Sequence, residues 1–278
     1  MHASRPDWDG LSRTTGDGQM GVDMDDAVTT SRARFDGRTV IVTGAGAGIG
    51  RATTERLIAE GSRVVAVDLL EDRLAALAED VASERLVTVA GDLADRRTID
   101  HVVAEAGEHI DGLANVAGIM DGFLPTAELD DDVWDRVLTV NLTAVMHLTR
   151  AVLPTMITAR TGSIVNVSSE AGLRGSAAGT AYTTSKHAVN GFTLSTAFFY
   201  APAGVRCNAV APGAVVTSIE APFRSQYAGE RLGPFMQTNV PPIATAVQLA
   251  AGIAWLLSDD SSNVTGVVLP SDGGWSAI

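Results

Sequence analysis

Seven short runs of β-branched and small apolar residues recur along this chain, and none of them alternates apolar with polar positions. They are TVIVT (39–43), RVVAVD (63–68), RLVTVA (85–90), GLANVA (112–117), SIVNVSS (163–169), VRCNAVAP (205–212) and VTGVVLP (264–270). A strand that is apolar on both sides belongs in a parallel sheet covered by helices on both faces. Segments of helical period fall between the runs, near 49–60, 71–83, 95–108, 129–158, 180–201 and 245–258. The expected fold class is therefore α/β, a doubly wound parallel sheet of about seven strands in a single domain over 35–278. Ligands of such sheets bind at the carboxyl ends of the strands, so the chemistry is sought there.

Residues 1–34 are rich in Asp, Gly, Ser, Thr and Arg without any apolar period. This stretch reads as a disordered or loosely docked tail, or as a segment preceding a natural start at Met20 or Met24. No uninterrupted apolar run of about 18 residues occurs, which argues against a membrane span. The first residues also lack the apolar core of a secretory signal, favouring a cytoplasmic protein. Cys207 is the only cysteine, excluding an internal disulfide or a cysteine-based metal cluster. A net charge of −13 argues against nucleic-acid partners.

The first strand runs into Thr43-Gly-Ala-Gly-Ala-Gly-Ile-Gly50. A tight strand-to-helix turn needs Gly where φ is positive and where backbone approaches a pyrophosphate, and the free amides at the helix start face the anion. The spacing departs from G-x-G-x-x-G, whose last place would fall on Ile49. It fits T-G-x-x-x-G-x-G through Thr43, Gly44, Gly48 and Gly50, and no G-K-[ST] follows. Asp68 ends the second strand, where a carboxylate accepts adenosine ribose hydroxyls and repels a 2′-phosphate, favouring NAD over NADP. Ala47 and Leu69 add no cation. Asp68 reads alternatively as a helix cap, and Asp92 as either an adenine contact or a helix-start residue.

Among twenty basic residues, Lys186 is the only lysine. Tyr182 precedes it by four positions in a segment of helical period, so both side chains leave one face. A phenol of pKa near 10 is a poor base at neutral pH, and a neighbouring ammonium favours the phenolate. A drop of roughly 3 units requires about 4 kcal/mol. Arginine would spread the charge and change the reach.

With TGAGAGIG (43–50), Asn115-Val-Ala-Gly118, Asn141, Ser169, Tyr182-Thr-Thr-Ser-Lys186 and Pro212-Gly213 with Thr217, the chain resembles the short-chain dehydrogenase/reductase family over about 37–274. Val116 departs from the family's second Asn, and the region of Pro242 to Thr245 lacks its usual Gly-Arg. The resemblance implies a Rossmann-type fold and a catalytic group of Asn141, Ser169, Tyr182 and Lys186. Ser169, rather than Ser168, steadies the substrate oxygen; Tyr182 exchanges the hydroxyl proton; Asn141 holds a water and the local backbone. It places the dinucleotide against Gly44, Gly48, Ile49 and Gly50 of the loop and against Asp68, Asp92 and Leu93. Further contacts are implied for Asn115, Ala117 and Gly118, for Pro212, Gly213 and Thr217, and for Tyr182 and Lys186 themselves. It also implies a homo-oligomer, commonly a tetramer, built on the two long helices.

Residues 217–243 carry Ile219, Phe223, Tyr227, Leu232, Phe235 and Met236 with glycines between, and read as a mobile lid with an apolar inner face or as a subunit-docking surface. An apolar lid suits an alicyclic, aromatic or acyl alcohol. His101, Glu105 and His109 share a helical spacing that invites a metal, but Val102, Val103 and Ala106 make the buried stripe, so a solvated face is favoured and no metal is expected. The expected activity is hydride transfer between NAD(H) and a secondary alcohol or ketone. Two rivals are a catalytically silent dinucleotide-sensing regulator, which has no need of Ser169, and a methyltransferase, which leaves Tyr182 and Lys186 unexplained.

Overall fold

The computed structural model describes residues 33–217 and 222–277. The start-site alternatives at Met20 and Met24, most of the tail and Ile219 lie outside these residues. Arg34, at the end of the tail, is tied down: it donates to Glu60 and Asp260 at 2.9 Å each.

Seven parallel strands form the central sheet. They are β1 (Thr39–Thr43), β2 (Arg63–Asp68), β3 (Leu86–Ala90), β4 (Gly112–Asn115), β5 (Gly162–Val167), β6 (Val205–Pro212) and the last strand (Val268–Ser271), in the order β3-β2-β1-β4-β5-β6-last. The chain leaves β1 toward β2 and β3, then returns to place β4 on the other side of β1. That reversal opens a crevice at the carboxyl ends of β1 and β4.

The central strands lack polar alternation because both faces are buried. Val40 and Val42 pack with Leu57, Leu249 and Ile253 on one side, whereas Ile41, between them, packs with Val102, Leu148 and Met156 on the other. The first layer holds α1 (Gly48–Ala59), α2 (Glu71–Val81) and the helix Ala246–Leu257. The second holds α3 (Arg96–Ala106) and the long segment Asp131–Ala159.

That long segment differs from the single helix expected over 129–158. It is α4 (Asp131–Leu138), a π-turn (Thr139–Thr143) and α5 (Ala144–Ala159), with Asn141 in the π-turn. Its length and mean hydropathy of 1.3 match a membrane span, yet it packs against α3 and against α6 (Thr180–Tyr200) as a core helix. The trio His101, Glu105 and His109 is broken up, because α3 ends at Ala106 and only His101 and Glu105 approach, at 4.0 Å.

A second difference lies in the expected lid. Its base is closed by β7 (Val215–Val216) pairing with β8 (Ala244–Thr245), and it contains α7 (Gln226–Asn239). Gly229, Gly233 and Pro234 weaken any local helix signal. The helix starts nonetheless, because the Ser225 side chain accepts the Ala228 N–H at 3.0 Å.

Candidate active site

The glycine turn is set by contacts that leave no room for side chains. A Cβ at Gly50 would lie 2.1 Å from the Gly44 carbonyl oxygen, and Gly44 and Gly48 hold φ of +64° and +52°. Helix α1 begins at Gly48 with no side-chain cap, so its first amides open onto the crevice with Gly48, Ile49 and Gly50 at the wall. Thr43 Oγ1 accepts the Val116 and Ala117 N–H groups at 2.9 and 3.1 Å, joining the ends of β1 and β4.

The Asp68 carboxylate takes the Gly46 N–H on one oxygen at 2.9 Å and the Leu70 N–H on the other at 3.0 Å. It thus stands at the crevice edge in a fixed orientation with lone pairs to spare. Arg73, which the sequence reading passed over, lines the same part of the crevice. Asp92 also lines it while accepting the Ala94 N–H at 2.8 Å, so the structure joins its two alternative readings. Leu93, Ala117, Gly118, Pro212, Gly213 and Thr217 complete this wall, and Thr217 lies over the turn, against Gly48.

The Asn115 side chain turns away from the crevice. It is buried between strands and helices, donating to Asn166 Oδ1 at 2.9 Å and to Thr149 Oγ1 at 3.2 Å, while Asn166 passes the chain on to Thr193. The pleat puts Asn115 and its register partner Asn166 inside, where each polar group needs a partner.

At the other end of the crevice β5 gives way to Ser168 and Ser169. Ser168 is buried and turned toward the Lys186 carbonyl at 3.4 Å, whereas Ser169 reaches the Tyr182 phenol. Lys186 Nζ donates to the Val167 carbonyl at 2.8 Å and sits 5.4 Å from the Tyr182 ring centroid. Asn141 reaches the site indirectly. Its carboxamide accepts the Ile119 N–H at 2.9 Å and donates to the Ile119 carbonyl at 3.0 Å and to Ser185 at 3.2 Å. The π-turn aims that side chain sideways at the loop after β4.

The electrostatics run opposite to the sequence expectation. Burial pushes the Tyr182 phenol up to about 12, opposed by the Ser169 hydrogen bond and reinforced by Asp121. Burial also lowers Lys186 to about 8. In the protein alone, desolvation outweighs any acidifying pull of the ammonium on the phenol.

Two carboxyl groups escaped the sequence reading. Asp121 binds the Phe123 and Tyr182 N–H groups, and an Asp before a Gly reads in sequence only as a turn residue. Glu170, next to Ser169, is buried with Arg174 beside it and Asp272 facing it, and burial pushes it up to about 7. The crevice has a volume of about 1080 Å³ and is lined from the glycine turn to Tyr182, with Met120, Phe123, Met236, Ile243 and Trp275 also in its wall. An anion cradle, a ribose acceptor and a Ser–Tyr–Lys group along one groove fit a dinucleotide with a substrate beyond it.

The sequence model of the short chain dehydrogenase family matches residues 38–228. A short-chain dehydrogenase/reductase of Talaromyces verruculosus is 40% identical over 249 residues, covering 86% of this chain and 97% of that protein. A 3beta-hydroxysteroid dehydrogenase 2 of Eggerthella lenta is 39% identical over 249 residues, covering 87% and 95%. Among solved structures, levodione reductase superposes with a TM-score of 0.79 at 35% identity, covering 87% of this chain and 99% of that one. A putative NAD(P) dependent gluconate 5-dehydrogenase from Beutenbergia cavernae, with NADP bound at low occupancy, gives 0.78 at 36% identity, covering 87% and 98%.

Proposed function

The chain belongs to the short-chain dehydrogenase family and is an oxidoreductase of the alcohol dehydrogenase/ketoreductase kind; from that premise we propose that it is NAD-dependent and acts on an apolar secondary alcohol or ketone. The carrying observation is that Ser169, Tyr182 and Lys186 meet in the same groove that the glycine turn and Asp68 open. When bound, the nicotinamide dinucleotide supplies the hydride carrier and, in its oxidised form, a positive charge near the phenol. Tyr182 exchanges the proton of the substrate hydroxyl, Ser169 holds the substrate oxygen, and Lys186 binds ribose with the protons that Val167 leaves free. Asn141 keeps the loop at Ile119 in place.

Three further points belong to this reading. Preference for NAD is supported by the Asp68 carboxylate at the ribose position, and NADP is the control because Arg73 lines the same region. An apolar alicyclic, aromatic or acyl substrate is supported by Met120, Phe123, Met236, Ile243 and Trp275 in the crevice wall, Met236 being on α7. A homo-oligomer, as a tetramer, is supported by the exposed Leu194, Phe198 and Phe199 on α6, and a cytoplasmic setting by a lone cysteine that is buried and unpaired.

The test is a panel of alicyclic, aromatic and acyl alcohols and ketones, run with NAD and NADP in parallel and read by absorbance of the reduced cofactor. Turnover favouring NAD is expected. Tight dinucleotide binding with no turnover across the panel would instead favour the regulator.

A further inference from the structure

Helix α6 carries both Tyr182 and Lys186, yet its start has no cap of its own: Gly179 precedes it and supplies no side chain. The acceptor comes from a loop 61 positions upstream. Asp121, only 1% exposed, accepts the Tyr182 N–H on Oδ2 at 2.9 Å and the Phe123 N–H on Oδ1 at 3.0 Å. Thr180 N–H donates to the Leu124 carbonyl at 2.9 Å, so residues 121–124 and 179–182 are laced from both sides. Gly179 has to be glycine here, because a Cβ would come within 2.5 Å of Asp121 Oδ2 and of the Leu124 nitrogen.

We propose that Asp121 is a positioning residue for hydride transfer, its buried carboxylate capping helix α6 from outside at the N–H of Tyr182 itself. The inference rests on Tyr182 being the proton-exchanging group. Lys186 on the same helix stands beside the Tyr182 ring, and Glu170, Asp135 and Arg136 are further charged groups in the wall of the same crevice. Asp121 is bonded to the tyrosine's own backbone and so sets its position, and it also contributes, after burial, to holding the phenol's pKa up. A negative charge near a phenol disfavours ionisation, so removing it lowers the pH at which Tyr182 becomes a base.

The test compares the full chain with Asp121→Asn, Asp121→Ser and Asp121→Glu. The first readout is the pH profile of kcat/KM for oxidation of the best alcohol from the panel, with NAD. The acid limb is expected to move down by about half a unit or more in both neutral variants and to stay near the parent in Asp121→Glu. Coincident or upward-shifted limbs in the neutral variants would overturn the proposal, and Asp121→Ser carries the test if Asp121→Asn does not fold. The second readout, hydrogen exchange in peptides spanning 179–186, needs no substrate. Exchange at the start of α6 is expected to be at least tenfold faster in a neutral variant, with the core strands unchanged; parent-like exchange overturns the capping role. Absent turnover with faster exchange would count against the enzymatic reading while leaving the cap standing.

Discussion

Lys186 Nζ is pinned between two partners: it donates to the Val167 carbonyl at 2.8 Å and stands 5.4 Å from the centre of the Tyr182 ring. The backbone of β5 therefore fixes the reach of the one lysine in the chain. At 3% exposure it is also desolvated, which brings its titration down to about 8. A lysine with a lowered value keeps its charge below that pH and loses it above. NAD affinity, measured by calorimetry between pH 6.5 and 9.5, is expected to fall as pH rises through about 8. The same titration of Lys186→Met should be weaker throughout and flat; a parallel slope in the variant would sink this assignment.

Tyr182→Phe removes only the hydroxyl that meets Ser169. Turnover of the panel's best substrate should fall on the order of 10²–10⁴-fold, because general acid–base catalysis is worth about that much. NAD binding should stay within about threefold of the parent, since the ring remains; this follows from its half-buried packing rather than from any contact of the oxygen.

Asp68→Ser removes the carboxylate at the crevice edge while keeping an oxygen near the Gly46 N–H. Repulsion of a 2′-phosphate disappears and Arg73 remains close by. The ratio of NADP to NAD efficiency should rise by about tenfold or more, equivalent to roughly 1.4 kcal/mol. An unchanged ratio would show that Asp68 serves the turn and not cofactor choice.

Glu170 is raised to about 7 by burial, with Arg174 opposing and Asp272 reinforcing the rise. Its folded value lies above the ordinary 4.5, so the neutral form is the one the fold favours. That contribution is intact below about 4.5 and is lost as pH rises through about 7. The parent should therefore lose melting temperature between pH 5.5 and 8.5. Glu170→Gln should lose about 3 °C less over that interval, about 1 kcal/mol for a domain of this size, by calorimetry at each pH.

Much of the sheet was legible in the sequence because burial on both faces leaves a strand no choice of pattern: Val40, Ile41 and Val42 are apolar for two different layers. The glycine turn was legible for a related reason, since Gly44, Gly48 and Gly50 answer local geometry. Helix α7 was not, because its glycines and Pro234 mask a start that a single serine cap provides. The partners of the Asn115 side chain were not legible either, as only the pleat and the neighbouring Asn166 turn it inward.

By itself, then, the sequence determined the α/β class, the order of elements and the spacing that puts Tyr182 and Lys186 on one helical face, all of which depend on neighbours within a turn or a strand. The tertiary structure alone decided what each polar group meets. Val167 holds the lysine, Asp121 caps a helix 61 positions away, and desolvation reverses the expected acidity of the phenol. Those outcomes depend on which distant segments exclude water together, and no local pattern encodes that.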